Sequence, residues 1–162
     1  MDDGGLCMLV PYLMKLHRFW SRCELRLLVV APEDSVATNI ASLKTMINKF
    51  RLPYKGPLLV PARSEPHPKT IEQYERLGQC KLSDAPRQQV TRNWLVLSEL
   101  LFEYSRYSGL NVITLPMPGK QYKGAQVRAY MALLHMLSDQ DRLPPTVLMR
   151  GNGESTVTFY SE

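Results

Sequence analysis

Leu25 to Val30 reads Leu-Arg-Leu-Leu-Val-Val, a short apolar run stopped by Ala31 and Pro32. It is too short for a buried helix and does not alternate, so it predicts a strand covered on both faces. Helical spacing on either side supplies the cover. Leu6, Leu9, Val10, Leu13 and Leu16 mark one amphipathic helix, from about Leu6 to Trp20. Val36, Ile40, Leu43, Ile47 and Phe50 mark a second, from about Ser35 to Phe50, with Glu33, Asp34 and Ser35 as capping groups and Pro53 as its end. Pro11 lies too deep in the first helix for an N1 proline. It removes one backbone bond and crowds the Cys7 carbonyl, which predicts a kink.

The same alternation continues to the C-terminus. Leu58 to Val60, between Pro57 and Pro61, predicts a short strand near a sheet edge, where lost donors face water. Residues 62–89 turn to proline, charge and polar side chains, with a weak amphipathic turn at Ile71, Tyr74 and Leu77. That composition predicts an exposed excursion holding one short helix, its remainder mobile. Val90, Trp94, Leu97, Leu101 and Tyr104 then mark one face of a helix closed by Gly109. A strand at Asn111 to Leu115, a glycine- and lysine-containing loop at Pro118 to Gly124, and a helix carrying Val127, Met131, Leu134 and Leu137 follow. Pro144-Pro145 announces a strand at Thr146 to Met149, and Thr156 to Tyr160 alternate as an edge strand would.

A βαβ series of this kind predicts an α/β fold: a mostly parallel sheet with helices on both faces, a Rossmann-like three-layer sandwich. Leu25–Val30, Asn111–Leu115 and Thr146–Met149 are the expected interior strands. With 162 residues the chain suits a single domain, 1–162, with one core.

Composition narrows the class further. No apolar run reaches the roughly 18–20 residues of a membrane span. Cys7, Cys23 and Cys80 are odd in number and far apart, which argues against a disulfide frame or zinc site and for reduced thiols in the cytoplasm. The first residues carry no basic n-region with a small-residue cleavage site, so no signal peptide is expected. A net charge of +5 permits nucleic-acid or anionic-lipid contact only if the charge gathers on one surface, and here it is dispersed. Nucleic acid is therefore not an expected partner. Lys15, Arg18 and Arg22 form the densest group, on one helical face opposite Leu6, Leu9 and Leu13. That stripe is read first as a solvated face, and second as a weak attraction to an anionic leaflet.

Chemistry should sit at the carboxyl ends of the strands. The loop Gly119-Lys120-Gln121-Tyr122-Lys123-Gly124 follows a strand and opens a helix, so Gly119, Lys120, Lys123 and Gly124 are weak phosphate-cradle candidates. Ala125-Gln126 replace the Lys-Ser/Thr pair of a P-loop, and a solvated connection is the better reading. His17, His67 and His135 lie on separate segments with no nucleophile signature near them. His135, among Leu133, Leu134 and Leu137, reads as a packed or rim residue. Asp2 and Asp3 diverge in direction, and helix capping accounts for at least one of them. No catalytic residue, metal ligand or cofactor is expected.

The residues also carry a family resemblance. Asp2-Asp3-Gly4-Gly5-Leu6 through Leu9-Val10-Pro11-Tyr12-Leu13, Trp20 with Cys23 and Leu25-Arg26, Asn48-Lys49-Phe50-Arg51, and Leu97-Ser98-Glu99-Leu100-Leu101 are four matching stretches. Tyr130-Met131-Ala132, Leu143-Pro144-Pro145 with Leu148, Arg150-Gly151-Asn152 and Thr158-Phe159-Tyr160-Ser161 complete the set. In order and spacing the chain resembles the last half of the C-terminal cytoplasmic region of the cation-chloride cotransporters. Lys49-Phe50-Arg51 and Thr158-Phe159-Tyr160-Ser161 look more like the sodium-dependent branch.

The resemblance implies a universal-stress-protein-like α/β half, cytosolic at a membrane, that dimerises and regulates transport without catalysis. It further implies the protein's own transmembrane transport domain as partner, with regulatory kinases or phosphatases acting on it. The family's apolar, tryptophan-containing strand ahead of Asp2 is absent, and residues 62–89 are shorter and more basic than the family's sodium-dependent members have there. Interaction candidates are Lys15, Arg18 and Arg22, and the strand edge at Thr156, Thr158 and Tyr160. A nucleotide-binding module or a free-standing scaffold are the alternatives.

Overall fold

The computed structural model describes residues 5–31, 36–49, 51–85, 87–118 and 123–152. The α/β class expected from the sequence is the one observed, with helices and short strands alternating along the chain. Two compact units divide it: residues 1–62 with 149–162, and residues 63–148.

The first unit contains α1 (Leu6–Leu16), β1 (Leu25–Ala31), α2 (Val36–Lys49) and β2 (Tyr54–Pro61). Gly5 is the N-cap of α1 at φ 93°, a left-handed conformation that glycine adopts without steric cost, and its carbonyl accepts from the N–H groups of Met8 and Leu9. The helix runs through Pro11 and stops at Leu16, shorter than the expected span to Trp20. His17 turns to extended backbone, and successive turns through Trp20 lead to Cys23. β1 and β2 are parallel, registered from Leu25 opposite Tyr54 to Ala31 opposite Pro61. Between the pairs Arg26–Lys55 and Leu28–Leu58, two residues of β2, Gly56 and Pro57, face the single Leu27 of β1, an irregularity where a proline's missing donor is tolerated. β2 is thus eight residues, not the three expected. α2 packs on both strands and buries Ile47, with Ile40 and Leu43 half-buried; Phe50 lies outside the described residues.

The second unit is built on α3 (Pro68–Gly78), a 3₁₀ turn at Leu82–Asp84, α4 (Gln88–Ser105), β3 (Asn111–Thr114), α5 (Ala125–Ser138) and β4 (Thr146–Met149). Its core joins Tyr74, Leu82, Leu95, Leu101, Leu133 and Leu137. Residues 62–89 are therefore not the excursion expected. Residues 62–65 are exposed, but Thr70, Tyr74 and Gly78 form a buried row on α3, and Leu82 is buried one turn beyond. The row is small and polar except for Tyr74, which is why hydrophobic spacing pointed to Ile71 and Leu77 instead. Leu77 faces solvent.

Small residues rotate the other helices in the same way. On α5 the buried positions are Ala129, Ala132, Leu133, Met136 and Leu137, while Val127 and Met131 are exposed. On α4, Thr91, Leu95, Ser98, Leu101 and Ser105 go inward while Val90 is exposed and Trp94 and Leu97 cover the core's flank. Ser98 and Ser105 can be buried because each hydroxyl donates at 2.7 Å to a carbonyl of its own helix, at Leu95 and Leu101.

Among the described residues the strands form two two-stranded sheets, β1 with β2 and β3 with β4. The three apolar strands expected in the interior of one sheet are divided between these. Between β2 and β3 the chain places α3 and α4, the two helices expected there, and they pack on each other and on α5.

Candidate interaction surfaces

Where α1 ends decides the fate of the basic stripe. Arg18 and Arg22 fall in the turns after Leu16, so no helical face carries them together with Lys15. Lys15 bends back instead: its Nζ donates to the Ser21 carbonyl at 2.9 Å and to the Cys23 carbonyl, closing the turn that delivers the chain into β1. Lys15, read first as part of a solvated face and second as an attraction to an anionic leaflet, is a local clasp. Around it Leu13, Leu16 and Phe19 are exposed, with Phe19 set edge-on to Trp20 at 5.1 Å.

A second exposed apolar surface lies on the parallel strand pair. Val30 is 42% exposed, Leu58 48% and Leu59 38%, whereas Val60 in the same strand is 1%. The expectation that Leu25–Val30 is covered on both faces fails here, since every described position of that strand is half-buried or exposed. Tyr54, at the opposite end of β2, donates its hydroxyl to the Met8 carbonyl at 2.7 Å and so ties α1 to the strand. Burial, assisted by the nearby Cys7 thiol, pushes the Tyr54 phenol from 10.0 up to about 12.

Of the phosphate-loop candidates, Gly119 and Lys120 lie outside the described residues. Gly124 is the N-cap of α5, in a φ 54°, ψ −115° conformation that suits glycine. The Lys123 N–H is turned to Gln126 Oε1 at 3.4 Å, an internal cap rather than an anion contact. Beside them the hollow bordered by Met117, Gln126 and Tyr130 offers about 30 Å³, one water's share of liquid volume. Thr156, Thr158 and Tyr160 also lie outside the described residues, as do Asp2 and Asp3. His135 is exposed.

The sequence reading missed a larger hollow in the second unit, about 360 Å³, bordered by Arg63, His67, Glu99, Phe102, Arg106 and Arg142. Its acidic groups are engaged. Arg63 reaches Glu103 at 2.5 Å and Glu99 at 3.7 Å, and Glu99 also accepts from the His67 N–H at 2.7 Å. His67 caps α3 by accepting at Nδ1 from the Lys69 N–H, with Pro68 as first helical residue. The Arg106 and Arg142 guanidinium carbons stand 5.3 and 5.1 Å from the centre of the same Phe102 ring, and Arg106 also covers Tyr107 at 4.7 Å. No apolar period reports such a cluster, because four separate segments bring it together.

No described helix is long and apolar enough to cross a membrane. The model of solute carrier family 12 matches residues 1–161. The chain belongs to that family. It is 31% identical over 187 residues to human solute carrier family 12 member 3, a match covering 99% of this chain and 18% of the relative. Against the bumetanide-sensitive sodium-(potassium)-chloride cotransporter of Manduca sexta it is 33% identical over 175 residues, 99% of the chain and 16% of that protein. Rat solute carrier family 12 member 1 gives 30% over 186 residues, 99% and 17%. The chain thus spans under a fifth of the length of these family members.

Proposed function

We propose that this chain is a regulatory and dimerising domain of a cation-chloride cotransporter, standing on the cytoplasmic face of a membrane. In this reading transport of sodium, potassium and chloride belongs to a membrane-embedded part outside these 162 residues, and this part catalyses nothing. The observation that supports it most is the exposure of Val30, Leu58 and Leu59 on a parallel strand pair. Parallel strands are ordinarily covered on both faces; here Val30 and Leu58 are open on the face that holds Val60, and Leu59 on the opposite one, so each face has apolar surface left to close. Membership in a family whose members are over five times longer supplies candidates: the rest of the same polypeptide, or a second copy.

Residues 1–162 act in this reading as one domain, and the transported ions never touch it. Its influence comes from contacts that differ between two states of the transporter, since a domain bound equally to both would shift nothing. The alternating residues Thr156, Thr158 and Tyr160 are the sequence segment offered to a neighbour, Arg18 and Arg22 add weak attraction to anionic lipid, and kinases or phosphatases set the balance. The test is ion flux, surface delivery and dimerisation of the parent cotransporter after deletion of this region. All three unchanged would refute the reading; loss of dimerisation or altered flux at normal surface density supports it.

A further inference from the structure

We propose that the hollow floored by Phe102 is a binding site for a phosphate-type oxyanion, held between Arg106 and Arg142. An arginine on a protein surface ordinarily finds a carboxylate, and this hollow contains two, Glu99 and Glu103. Both are taken by Arg63, and Glu99 in addition by the His67 N–H. Among the described residues neither Arg106 nor Arg142 pairs with an acidic group. Arg142 Nη1 donates to Gln73 Oε1 at 3.0 Å and its guanidinium covers Phe102, while among the described residues Arg106 lies over the faces of Phe102 and Tyr107.

Three guanidinium groups against two carboxylates leave the hollow a net charge of +1, with two of the cations resting on one ring. Each cation–ring contact is worth about 0.5–1 kcal/mol at an exposed site, which restrains the guanidinium without consuming its donors. A guanidinium carries five N–H groups in a planar fork matched to the oxygens of phosphate, and stacking leaves its in-plane edge available. Arg106 is the C-cap of α4, and Arg142 stands in the turn that follows α5, its N–H donating to the Asp139 carbonyl at 3.1 Å, so both are anchored within one unit. Preorganisation of this kind lowers the ordering cost that two free surface arginines incur on clasping an anion. An oxyanion bridging them also relieves their mutual repulsion. The volume of about 360 Å³ is ample for a phosphate group and part of whatever bears it.

The source of the phosphate, free or carried on a serine side chain, is separated by experiment. The chain is titrated with inorganic phosphate, with phosphoserine and with sodium chloride at constant ionic strength, and the arginine Nε–Hε resonances are followed by NMR. Saturable displacement of the Arg106 and Arg142 signals by phosphate, with a midpoint in the low millimolar range, is the expected result. Tighter binding of phosphoserine assigns a protein-borne phosphate, and equal or weaker binding assigns the free ion. Arg106→Gln and Arg142→Gln should each weaken binding roughly tenfold, and Arg106→Lys nearly as much because it keeps charge and loses the fork. Unchanged amide spectra elsewhere check that these exposed substitutions leave the fold intact, and Phe102→Leu should weaken binding while preserving both cations. The site is refuted if no saturation occurs by about 20 mM phosphate, if chloride reproduces the shifts, or if the glutamine variants bind like the parent.

Discussion

Gly78 of α3 lies so close to Ala129 of α5 that a Cβ on residue 78 would stand 3.3 Å from the Ala129 Cα and 3.0 Å from the Cys80 sulfur. The sulfur can rotate away, but the Ala129 main chain moves only with α5 itself. Alanine gains about 1 kcal/mol in helix propensity over glycine, and overpacking costs about 1–3 kcal/mol. With backbone as the obstacle the second term wins. Gly78→Ala should lower the unfolding free energy by about 1 kcal/mol and Gly78→Val by about 3 kcal/mol, measured in urea. Cys80→Ala should leave most of the Gly78→Ala loss in place, because the sulfur is the obstacle that can move. An alanine variant as stable as the parent would mean that the two helices separate at no cost.

Tyr54 joins β2 to α1 through one hydroxyl, and its removal in Tyr54→Phe should cost about 1 kcal/mol. The pH dependence has a definite sign. The folded phenol titrates near 12 and the unfolded one near 10.0, so between these values the folded state holds the extra proton. The stabilisation is complete below pH 10 and is lost as pH rises toward 12. Alkaline unfolding followed by circular dichroism should be less steep over that window in Tyr54→Phe. An identical slope in the two proteins would contradict the burial of that hydroxyl.

How far the fold can be read from the residues depends on where the apolar signal is loud. The run Leu25–Val30 and the spacing of Ile40, Leu43 and Ile47 are large-residue signals, and β1 and α2 appear where they point. α3 and α5 defeat the same reading because their contact is made by Gly78, Ala129 and Ala132, whose value is closeness rather than area. Ser98 and Ser105 defeat it on α4, since a hydroxyl bonded to its own helix can be buried where a free one cannot. The basic group Lys15, Arg18 and Arg22 was legible as charge but not as geometry, because nothing in its spacing announces that α1 stops at Leu16. The Phe102 hollow is assembled from residues up to 79 positions apart, from Arg63 to Arg142, which no local pattern encodes.

Glu75 connects α3 to the 3₁₀ turn by accepting from the Leu82 N–H at 2.8 Å and from Lys81 Nζ at 3.0 Å. The Leu82 amide bond first, then Lys81, hold its carboxyl below the usual range. A depressed carboxylate stabilises the fold above the unfolded value and loses that contribution as pH falls through the folded one. Glu75→Ala should therefore cost on the order of 1 kcal/mol at neutral pH, and the deficit should shrink on acidification. Lys81→Ala, which leaves the amide bond in place, should cost clearly less. A deficit that stays constant down to strongly acid pH would remove the carboxylate from this account.

Folding and association separate on the single strand β2. Val60 is buried within the first unit, so Val60→Ala deletes packing and should destabilise it by about 2 kcal/mol in chemical denaturation. Leu58 and Leu59 are 48% and 38% exposed on opposite faces of β2, so Leu58→Thr with Leu59→Thr removes apolar surface of which a large part is open to solvent. Threonine suits a strand, and the double variant should cost less stability than Val60→Ala. If a second copy or the rest of the cotransporter covers these side chains, the double variant should weaken association by more than its loss of stability explains, read by sedimentation of the isolated chain and by dimerisation of the parent. Val60→Ala should show the converse pattern once the remaining folded fraction is accounted for. A double threonine variant that unfolds as readily as Val60→Ala would place these leucines in the unit's own core, and one that associates like the parent would leave their exposure without a partner.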